Sequence, residues 1–345
     1  MFKKIAVLAI GVMTATSAQA ESLTDTLVST YRSSGLIDQN RAVLRAADED
    51  VAQAVSALRP VFSYLASAGY SDTAQGSGTS ASLGLNAEML LYDFGRSQLS
   101  IDVAKETVLA TRAALIDVEN TVLFNAVNAF QAVRRAAAFI DLRENNVRLL
   151  TEQLRATNDR FEVGEVTRTD VSLSEARLAA ARSALAAERG GLARAQEQYR
   201  TVVGDYPGQL SPAPSMPSIP ATEAQAREIA RIENPRVKQI QHQVKAVELG
   251  VEIASRAMRP SLTASGGLSV DEEGDEAASV GINLRGNLYQ GGAISSRLRQ
   301  AQASRDQVRA QLYTVGLQVD QEVGNAYANL AVAIASIDAS TRQVR

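Results

Sequence analysis

The stretch that decides the fold is SLGLNAEMLLYDFG at residues 82–95, because a related stretch, SVGINLRGNLYQGG, recurs at residues 279–292. Six of these fourteen positions are identical at an offset of 197 residues, and several others exchange one apolar side chain for another. Arg59-Pro60 likewise recurs as Arg259-Pro260. Matches that keep the same order across most of a half of the chain indicate an internal duplication.

A proline-rich segment, residues 204–222, separates the two copies and holds five of the eight prolines. Proline fits neither a regular helix nor a central strand, so this segment is predicted to be a linker. It divides the chain into a first repeat at 21–203 and a second repeat at 223–345. Each repeat is expected to begin with a helix (roughly 38–58 and 223–258), to continue with two strands and to end in a long helix.

Four segments alternate apolar and polar residues with the period of two that is typical of strands. They are residues 61–70, 82–91, 261–270 and 279–288. Each has about ten residues, the length that crosses a bilayer when a strand is tilted. A soluble sheet with one face on a core would alternate in the same way, but no neighbouring helix pattern offers a wide apolar face to cover these strands.

Transmembrane strands of this kind would turn their apolar face to lipid and their polar face to a watery lumen. Leu83 and Leu85 belong to the apolar face. The side chains expected in the barrel lumen are Asn86, Glu88, Asn283 and Arg285. Four strands cannot close a barrel, and an open edge in lipid leaves backbone groups unsatisfied. The chain must therefore share a barrel with copies of itself: two copies give eight strands and three give twelve.

A very long helix is predicted from Ser97 to about Asp159, because this stretch contains neither proline nor glycine. Its apolar residues recur in steps of three and four, which is coiled-coil spacing. A break at Val163-Gly164-Glu165 is followed by a second helix to about Val203, so residues 97–203 form a helical hairpin. An exported coiled-coil structural or spacer protein without a pore would show the same helices, but it would not need lipid-facing strands.

The first twenty residues have the pattern of a secretory signal peptide. Lys3 and Lys4 precede an apolar run of eleven residues, and Ser17-Ala18-Gln19-Ala20 places small residues before a cut after Ala20. We therefore predict an exported protein whose mature chain begins at Glu21.

Composition excludes several classes of protein. The chain has no cysteine and one histidine, His242, which excludes a disulfide scaffold, a cysteine–zinc site and a multi-histidine metal site. It contains no P-loop, GxSxG or HExxH motif, so we expect no enzyme activity, no metal and no cofactor. The formal net charge of −3 offers no basic field for a nucleic-acid partner.

Taken in order, these features resemble the TolC family of outer-membrane efflux proteins: the export signal, the duplicated halves, "LYDFG" and "LYQGG" leading into long helices, and "RFEVGEVTRTDV" at residues 160–171. The resemblance implies a homotrimer in which each chain gives four strands to one twelve-stranded barrel in outer-membrane lipid. It also implies a helical tunnel through the periplasm that receives drugs, small toxic molecules or polypeptides. These would come from an inner-membrane pump or ABC transporter through a periplasmic adaptor protein.

In this family the turn of the helical hairpin is the tip that meets the adaptor. The resemblance places that contact on Val163, Gly164, Glu165, Val166 and Thr167; the family often has leucine where this chain has Glu165. The repeat offset of 197 residues makes Arg345 the equivalent of Arg148, so the second half would lack its own tip and returning helix. We therefore expect this chain to be a fragment or a truncated product lacking roughly 50 to 100 residues, among them the family's gating residues.

Overall fold

A computed structural model describes residues 20–73 and 76–344 of the chain. The predicted signal peptide, apart from Ala20, lies outside these described residues. In chain order the described elements are α1 (Leu23–Ser33), α2 (Gly35–Ser56), β1 (Val61–Thr73), β2 (Gly76–Tyr92), α3 (Arg96–Glu162), α4 (Arg168–Val203), α5 (Glu223–Glu233), α6 (Pro235–Ser255), β3 (Ser261–Asp271), β4 (Glu276–Arg285) and α7 (Ala293–Val344).

The chain folds as two units. One unit holds the residues up to Leu36 together with Glu119–Met216, and the other holds Ile37–Val118 and the residues from Pro217 onward. In the described part of the chain, no helix is both long enough and apolar enough to span a membrane.

The first unit is built around the antiparallel helices α3 and α4. Its core cluster consists of Ala129, Phe130 and Val133 from α3 and Ala195, Tyr199 and Val203 from α4, which are all buried. Small residues beside large ones allow the two helices to approach closely. Leu23 from α1 and Leu210 from the proline-rich segment pack against the cluster.

Glu21 connects the start of the described chain to the same core. Its backbone N–H donates to the Gln209 carbonyl over 2.8 Å, and its carbonyl accepts from the Ser211 N–H over 2.9 Å. The buried Tyr199 hydroxyl donates to Glu21 Oε1 over 2.5 Å and lies 2.9 Å from Thr26 Oγ1. Burial raises the pKa of Tyr199, and the hydrogen bond to Glu21 raises it further.

The second unit contains one antiparallel sheet with the strand order β1-β2-β3-β4. It also holds α2 from Ile37 onward, the part of α3 up to Val118, and helices α5, α6 and α7. Arg231 of α5 binds Asp320 of α7, which is largely buried. His242 of α6 lies with its Nδ1 2.7 Å from Glu106 Oε2 of α3.

The elements differ from the sequence prediction in three places. The single helix expected over 223–258 is wrong, because Asn234 is extended and caps a new helix that has Pro235 at its first position. Helix α1 was not expected; it begins with a capping box between Ser22 and Asp25. The strands β1 and β2 are longer than predicted, whereas β4 ends at Arg285 rather than 288.

Candidate functional site

The sheet of the second unit has two chemically opposite faces. Directly opposed residues of antiparallel strands project from the same side of a sheet, so the register defines each face. Asn86 of β2 lies opposite Ser63 of β1 and Gly267 of β3, and Gly267 lies opposite Ser279 of β4. One row across all four strands is therefore polar or glycine.

The four residues predicted for a barrel lumen all belong to this polar face. Glu88 lies two residues after Asn86 on β2, and Asn283 and Arg285 lie four and six residues after Ser279 on β4. One of them bonds to a neighbouring strand: Asn283 Nδ2 donates to Ser265 Oγ over 2.9 Å. Gly267 lets Asn86 and Ser279 lie close together, because a Cβ there would be 3.1 Å from Asn86 Oδ1 and from Ser279 Oγ.

The opposite face is apolar on all four strands and is exposed in the single chain. Tyr64 is 79% exposed and Val280 is 95% exposed. The members of this apolar face include Phe62, Tyr64 and Tyr70 of β1, Leu83, Leu85 and Met89 of β2, Leu268 of β3, and Val280, Ile282 and Leu284 of β4. An exposed apolar surface of this extent marks a site of contact with a membrane or with another protein.

The apolar surface continues across all four strands, as a cavity over the sheet shows. A cavity of about 630 Å³ lies over the sheet and is lined mainly by apolar atoms. Its walls include Tyr64, Leu85, Leu268 and Val280, one residue from each strand. The surface is therefore a property of the whole sheet rather than of one strand.

The turn between β2 and α3 is held by Asp93. Its carboxylate accepts hydrogen bonds from the Gly95 N–H over 3.0 Å and from the N–H and hydroxyl of Ser97, each over 2.7 Å. Burial opposes ionisation of Asp93, but the hydrogen bonds from Ser97 and Gly95 outweigh it and hold the pKa of Asp93 below its ordinary value. Arg256 donates to the Phe94 carbonyl over 3.1 Å.

This turn requires left-handed backbone at two successive residues. Phe94 has φ 58° and Gly95 has φ 78°. The turn between β4 and α7 repeats this conformation at Gly291 and Gly292, with φ 58° and 85°. The sequence motifs "LYDFG" and "LYQGG" therefore encode one strand-to-helix turn in two copies.

In the first unit, the turn between α3 and α4 is compact and exposed. Gly164 has φ 82°, and its N–H donates to the Phe161 carbonyl over 3.0 Å. The Glu165 N–H donates to the Arg160 carbonyl over 2.9 Å, and their side chains form an exposed ion pair at 3.6 Å. Val163 is 71% exposed at the turn.

Helix α4 begins immediately after this turn with a capping box. Thr167 Oγ1 accepts from the Asp170 N–H, and Asp170 Oδ2 accepts from the Thr167 N–H over 2.8 Å. The hydrogen bonds from the Thr167 side chain and backbone lower the pKa of Asp170. The structure thus brings Val163, Gly164, Glu165, Val166 and Thr167 together in the one turn between α3 and α4.

Within residues 20–73 and 76–344 the structure places no group of three or more histidine, aspartate or glutamate side chains where they could hold a metal ion. The features that do stand out are the two-faced sheet and the exposed hairpin turn.

Comparison with known proteins identifies the class to which such a sheet and such helices belong. The family model described as outer membrane efflux protein matches residues 30–205 and 226–345. The outer membrane efflux protein BepC of Brucella suis biovar 1 (strain 1330) is 33% identical over 338 residues, covering 95% of this chain and 74% of that protein. The outer membrane protein TolC of Escherichia coli (strain K12) is 25% identical over 356 residues, covering 95% of this chain and 71% of that protein.

Solved structures share the fold. The outer-membrane channel OprN superposes with a TM-score of 0.80 at 22% identity, covering 93% of this chain and 76% of that one. The outer membrane protein VceC from Vibrio cholerae superposes with a TM-score of 0.79 at 17% identity, covering 93% of this chain and 81% of that one.

The chain therefore belongs to the outer membrane efflux protein family, the TolC family. It is an outer-membrane protein with a periplasmic helical tunnel, and it acts as an exit duct for efflux or secretion. The family is one of channel proteins rather than enzymes. The alternative of a coiled-coil spacer without a pore has no support from these relatives.

Proposed function

We propose that three copies of this chain close one twelve-stranded barrel in the outer membrane, with the apolar face of the sheet in lipid and the polar face around a water-filled lumen. The observation that carries this proposal is the two-faced sheet itself, whose apolar face is left exposed by residues 20–73 and 76–344 of the single chain. Its edge strands β1 and β4 each have one free side in the described sheet. Closure with further copies would satisfy those edges and place the apolar face against lipid.

In this assembly the lumen is lined by Asn86, Glu88, Asn283 and Arg285. Each of these side chains occurs three times in the trimer. The duct conducts passively, and the energy for transport comes from an inner-membrane pump or ABC transporter. The chain itself has no catalytic role. Its cargo is drugs, small toxic molecules or polypeptides.

The hairpin turn at Val163, Gly164, Glu165, Val166 and Thr167 is the contact for a periplasmic adaptor protein that links the duct to the pump. Two features support this role. Val163 presents an exposed aliphatic side chain, and the capping box at Thr167 together with the glycine at 164 fixes the backbone around it. A rigid turn with an apolar apex loses little conformational entropy when a partner binds.

Replacement of Val163 tests the adaptor contact without touching the sheet. We expect Val163→Ser to reduce efflux or secretion and co-purification of the adaptor, while the amount of trimer in the outer membrane stays unchanged. The matched variant Val163→Leu keeps an apolar side chain, so it should retain both transport and co-purification of the adaptor. Wild-type adaptor binding by Val163→Ser would contradict this role of the turn.

Deletion of the gene distinguishes the two kinds of cargo. Increased sensitivity to drugs and detergents with an unchanged set of secreted proteins identifies an efflux duct. Loss of a secreted polypeptide with unchanged drug sensitivity identifies a secretion duct. If neither changes, the proposed role as an exit duct is wrong.

A further inference from the structure

The two ends of the sheet carry opposite charge. At the loop end, residues 71–80 and 270–279 include six acidic residues and neither lysine nor arginine. At the helix end, the five residues that flank each strand include one acidic residue, Asp93, and four arginines. These arginines are Arg59, Arg96, Arg256 and Arg259. The end of the sheet that joins the helices is therefore the basic end.

The apolar face between these two ends has about the height of a membrane core. Phe62 and Tyr70 of β1 are both exposed on that face and lie eight residues apart. Eight residues of strand span roughly 27 Å, or roughly 21 Å along the membrane normal at a tilt of about 40°. Outer-membrane barrels have an apolar band of about 25 Å between two girdles of aromatic residues. Phe62 at the start of β1 and Tyr92 at the end of β2 thus mark the boundary on the helix side.

Arg259 lies at this boundary, over a pair of aromatic rings. Its guanidinium is 5.6 Å from the centroid of the Phe94 ring, and Phe94 packs on Tyr92 with their ring centroids 4.8 Å apart. Strand β3 begins two residues after Arg259, and its second residue, Leu262, is paired with Tyr92. Tyr92 is 57% exposed. The cationic group therefore lies where the exposed apolar face ends.

A second arginine holds the aromatic pair in place. Arg256 Nη1 donates to the Phe94 carbonyl over 3.1 Å, and Nη2 donates to Glu252 Oε2 over 3.2 Å. A Cβ at Gly95 would be 3.1 Å from Arg256 Nη1, so glycine leaves room for this guanidinium against the turn. The charge of Arg256 is thus already paired, and its role is to position Phe94.

The Arg259 guanidinium, by contrast, is exposed and forms neither an ion pair nor a hydrogen bond with any residue of 20–73 or 76–344. Its five N–H donors are available to a partner outside this part of the chain. The acidic residue at the same end of the sheet does not compete for them, because the carboxylate of Asp93 accepts from Gly95 and Ser97.

Resting on the membrane-inserted sheet of the proposed function, we propose that Arg259, stacked on Phe94 beside Tyr92, binds the phosphate of an anionic phospholipid in the periplasmic leaflet of the outer membrane. The helix end of the sheet faces this leaflet because the helices form the periplasmic tunnel. A guanidinium binds phosphate oxygens through parallel hydrogen bonds, and aromatic side chains of this kind lie at the level of lipid headgroups.

The charges of the sheet select both the lipid and the leaflet. A basic surface attracts lipids with a net negative charge more strongly than zwitterionic ones. The exposed apolar face beside Tyr92 accommodates the acyl chains of the same lipid. At the other end of the sheet, the six acidic residues would repel a phosphate. The site is therefore confined to the helix end.

Replacement of Arg259 by glutamine tests the site, because it removes the charge and keeps a polar side chain. The matched control is Arg112→Gln, the same change at an exposed arginine of α3, sixteen residues or roughly 24 Å of helix beyond Arg96. Purified trimers in detergent would be titrated with phosphatidylglycerol and with phosphatidylcholine that has the same acyl chains. Native mass spectrometry counts the bound lipids.

We expect the wild type to bind phosphatidylglycerol more tightly than phosphatidylcholine. Arg259→Gln should weaken phosphatidylglycerol binding about fivefold, which is the typical contribution of one arginine near an anionic lipid surface. It should leave phosphatidylcholine binding unchanged, and Arg112→Gln should match the wild type for both lipids. Unchanged phosphatidylglycerol binding by Arg259→Gln would overturn the proposal. Equal weakening by both variants would also overturn it, because it would show an effect of net charge rather than a site.

A competition experiment distinguishes a lipid headgroup from free phosphate. Inorganic phosphate, added at constant ionic strength, should leave the phosphatidylglycerol bound to the wild type in place. Complete displacement would identify a site for free phosphate and overturn the assignment to lipid. If Arg259→Gln does not assemble, Phe94→Leu, which removes the ring under Arg259, takes its place and should weaken binding of phosphatidylglycerol alone. Unchanged affinity in that variant would contradict the proposal.

The same spectra separate this site from the assembly on which it rests. Wild-type trimers that show no preference for phosphatidylglycerol would reject the lipid site and leave the proposed function intact. A wild type that is not a trimer, or that is not recovered in outer membranes, would reject the proposed assembly and the lipid site with it.

Discussion

Arg231 Nη2 donates to Asp320 Oδ2 over 2.6 Å while its Nε donates to Oδ1 over 3.0 Å, so one guanidinium binds both oxygens of the carboxylate. This bidentate pair joins α5 to α7 within the second unit. The hydrogen bonds from Arg231 hold the pKa of Asp320 below its ordinary value.

The first prediction concerns the pH dependence of this pair. Because the pKa of Asp320 is lower in the folded chain than in the unfolded chain, its stabilising effect is present above the unfolded pKa, near ~4, and is lost as pH falls through the folded pKa. We expect Asp320→Asn to lower the melting temperature at pH 7 and to approach wild type below about pH 4. Asp48→Asn, an exposed replacement on α2, is the control. If the difference in melting temperature between Asp320→Asn and wild type is the same at pH 7 as below about pH 4, the prediction is contradicted.

The second prediction compares two tyrosines that each donate to a glutamate. Tyr199 is 1% exposed and binds Glu21, whereas the exposed Tyr206 binds Glu197 over 2.6 Å. We expect Tyr199→Phe to reduce the free energy of unfolding by about 1–3 kcal/mol, because it leaves buried polar groups without their partner. Tyr206→Phe should have a much smaller effect in the same urea titration in detergent. Equal losses in the free energy of unfolding would show that burial of Tyr199 does not increase the cost of removing its hydroxyl.

The sequence was sufficient for the parts of the fold that depend on short-range patterns. Alternation identified all four strands, and the absence of proline and glycine identified α3. The pairing of the single histidine with Glu106 was not predictable, because the two residues are 136 positions apart and lie on different helices. The same holds for Arg231 and Asp320, which only packing brings together.

Some of the missed features did have a local signal. Ser22 and Asp25 are spaced as a capping box, and Asn234-Pro235 is a stop followed by a helix start, so both signals were available in the sequence. For the candidate site, the period of two placed Asn86, Glu88, Asn283 and Arg285 on one face of the sheet, as the register shows. That this face surrounds a lumen is a property of an assembly and remains a prediction.

The third prediction concerns the glycine of the hairpin turn. A Cβ at Gly164 would meet nothing within 4 Å, but the residue has φ 82°. We therefore expect Gly164→Ala to destabilise the protein by about 1–2 kcal/mol through its left-handed backbone alone. Gly250 in α6 also has open space around a Cβ but is helical. Gly250→Ala should therefore stabilise by up to about 1 kcal/mol. A shift of the same sign for both variants in thermal unfolding would refute this reasoning.

The fourth prediction concerns ion selectivity of the proposed lumen. Glu88 and Arg285 carry opposite charges on the polar face, and a fixed charge in a pore favours ions of the opposite sign. We expect Glu88→Gln to move the reversal potential toward anion preference and Arg285→Gln to move it toward cation preference in planar bilayers under a salt gradient. Shifts of the same sign, or none, would exclude these two side chains from the ion path.

Thiol labelling at neighbouring positions of β2 distinguishes the face of the sheet that meets lipid from the face that meets water. Leu85→Cys and Asn86→Cys differ by one residue and so lie on opposite faces. In intact outer membranes, a charged maleimide should label Asn86→Cys and leave Leu85→Cys unlabelled, while both react after denaturation. Labelling of Leu85→Cys with protection of Asn86→Cys, or equal labelling of both, would show that these two faces of the sheet do not meet lipid and water in this way.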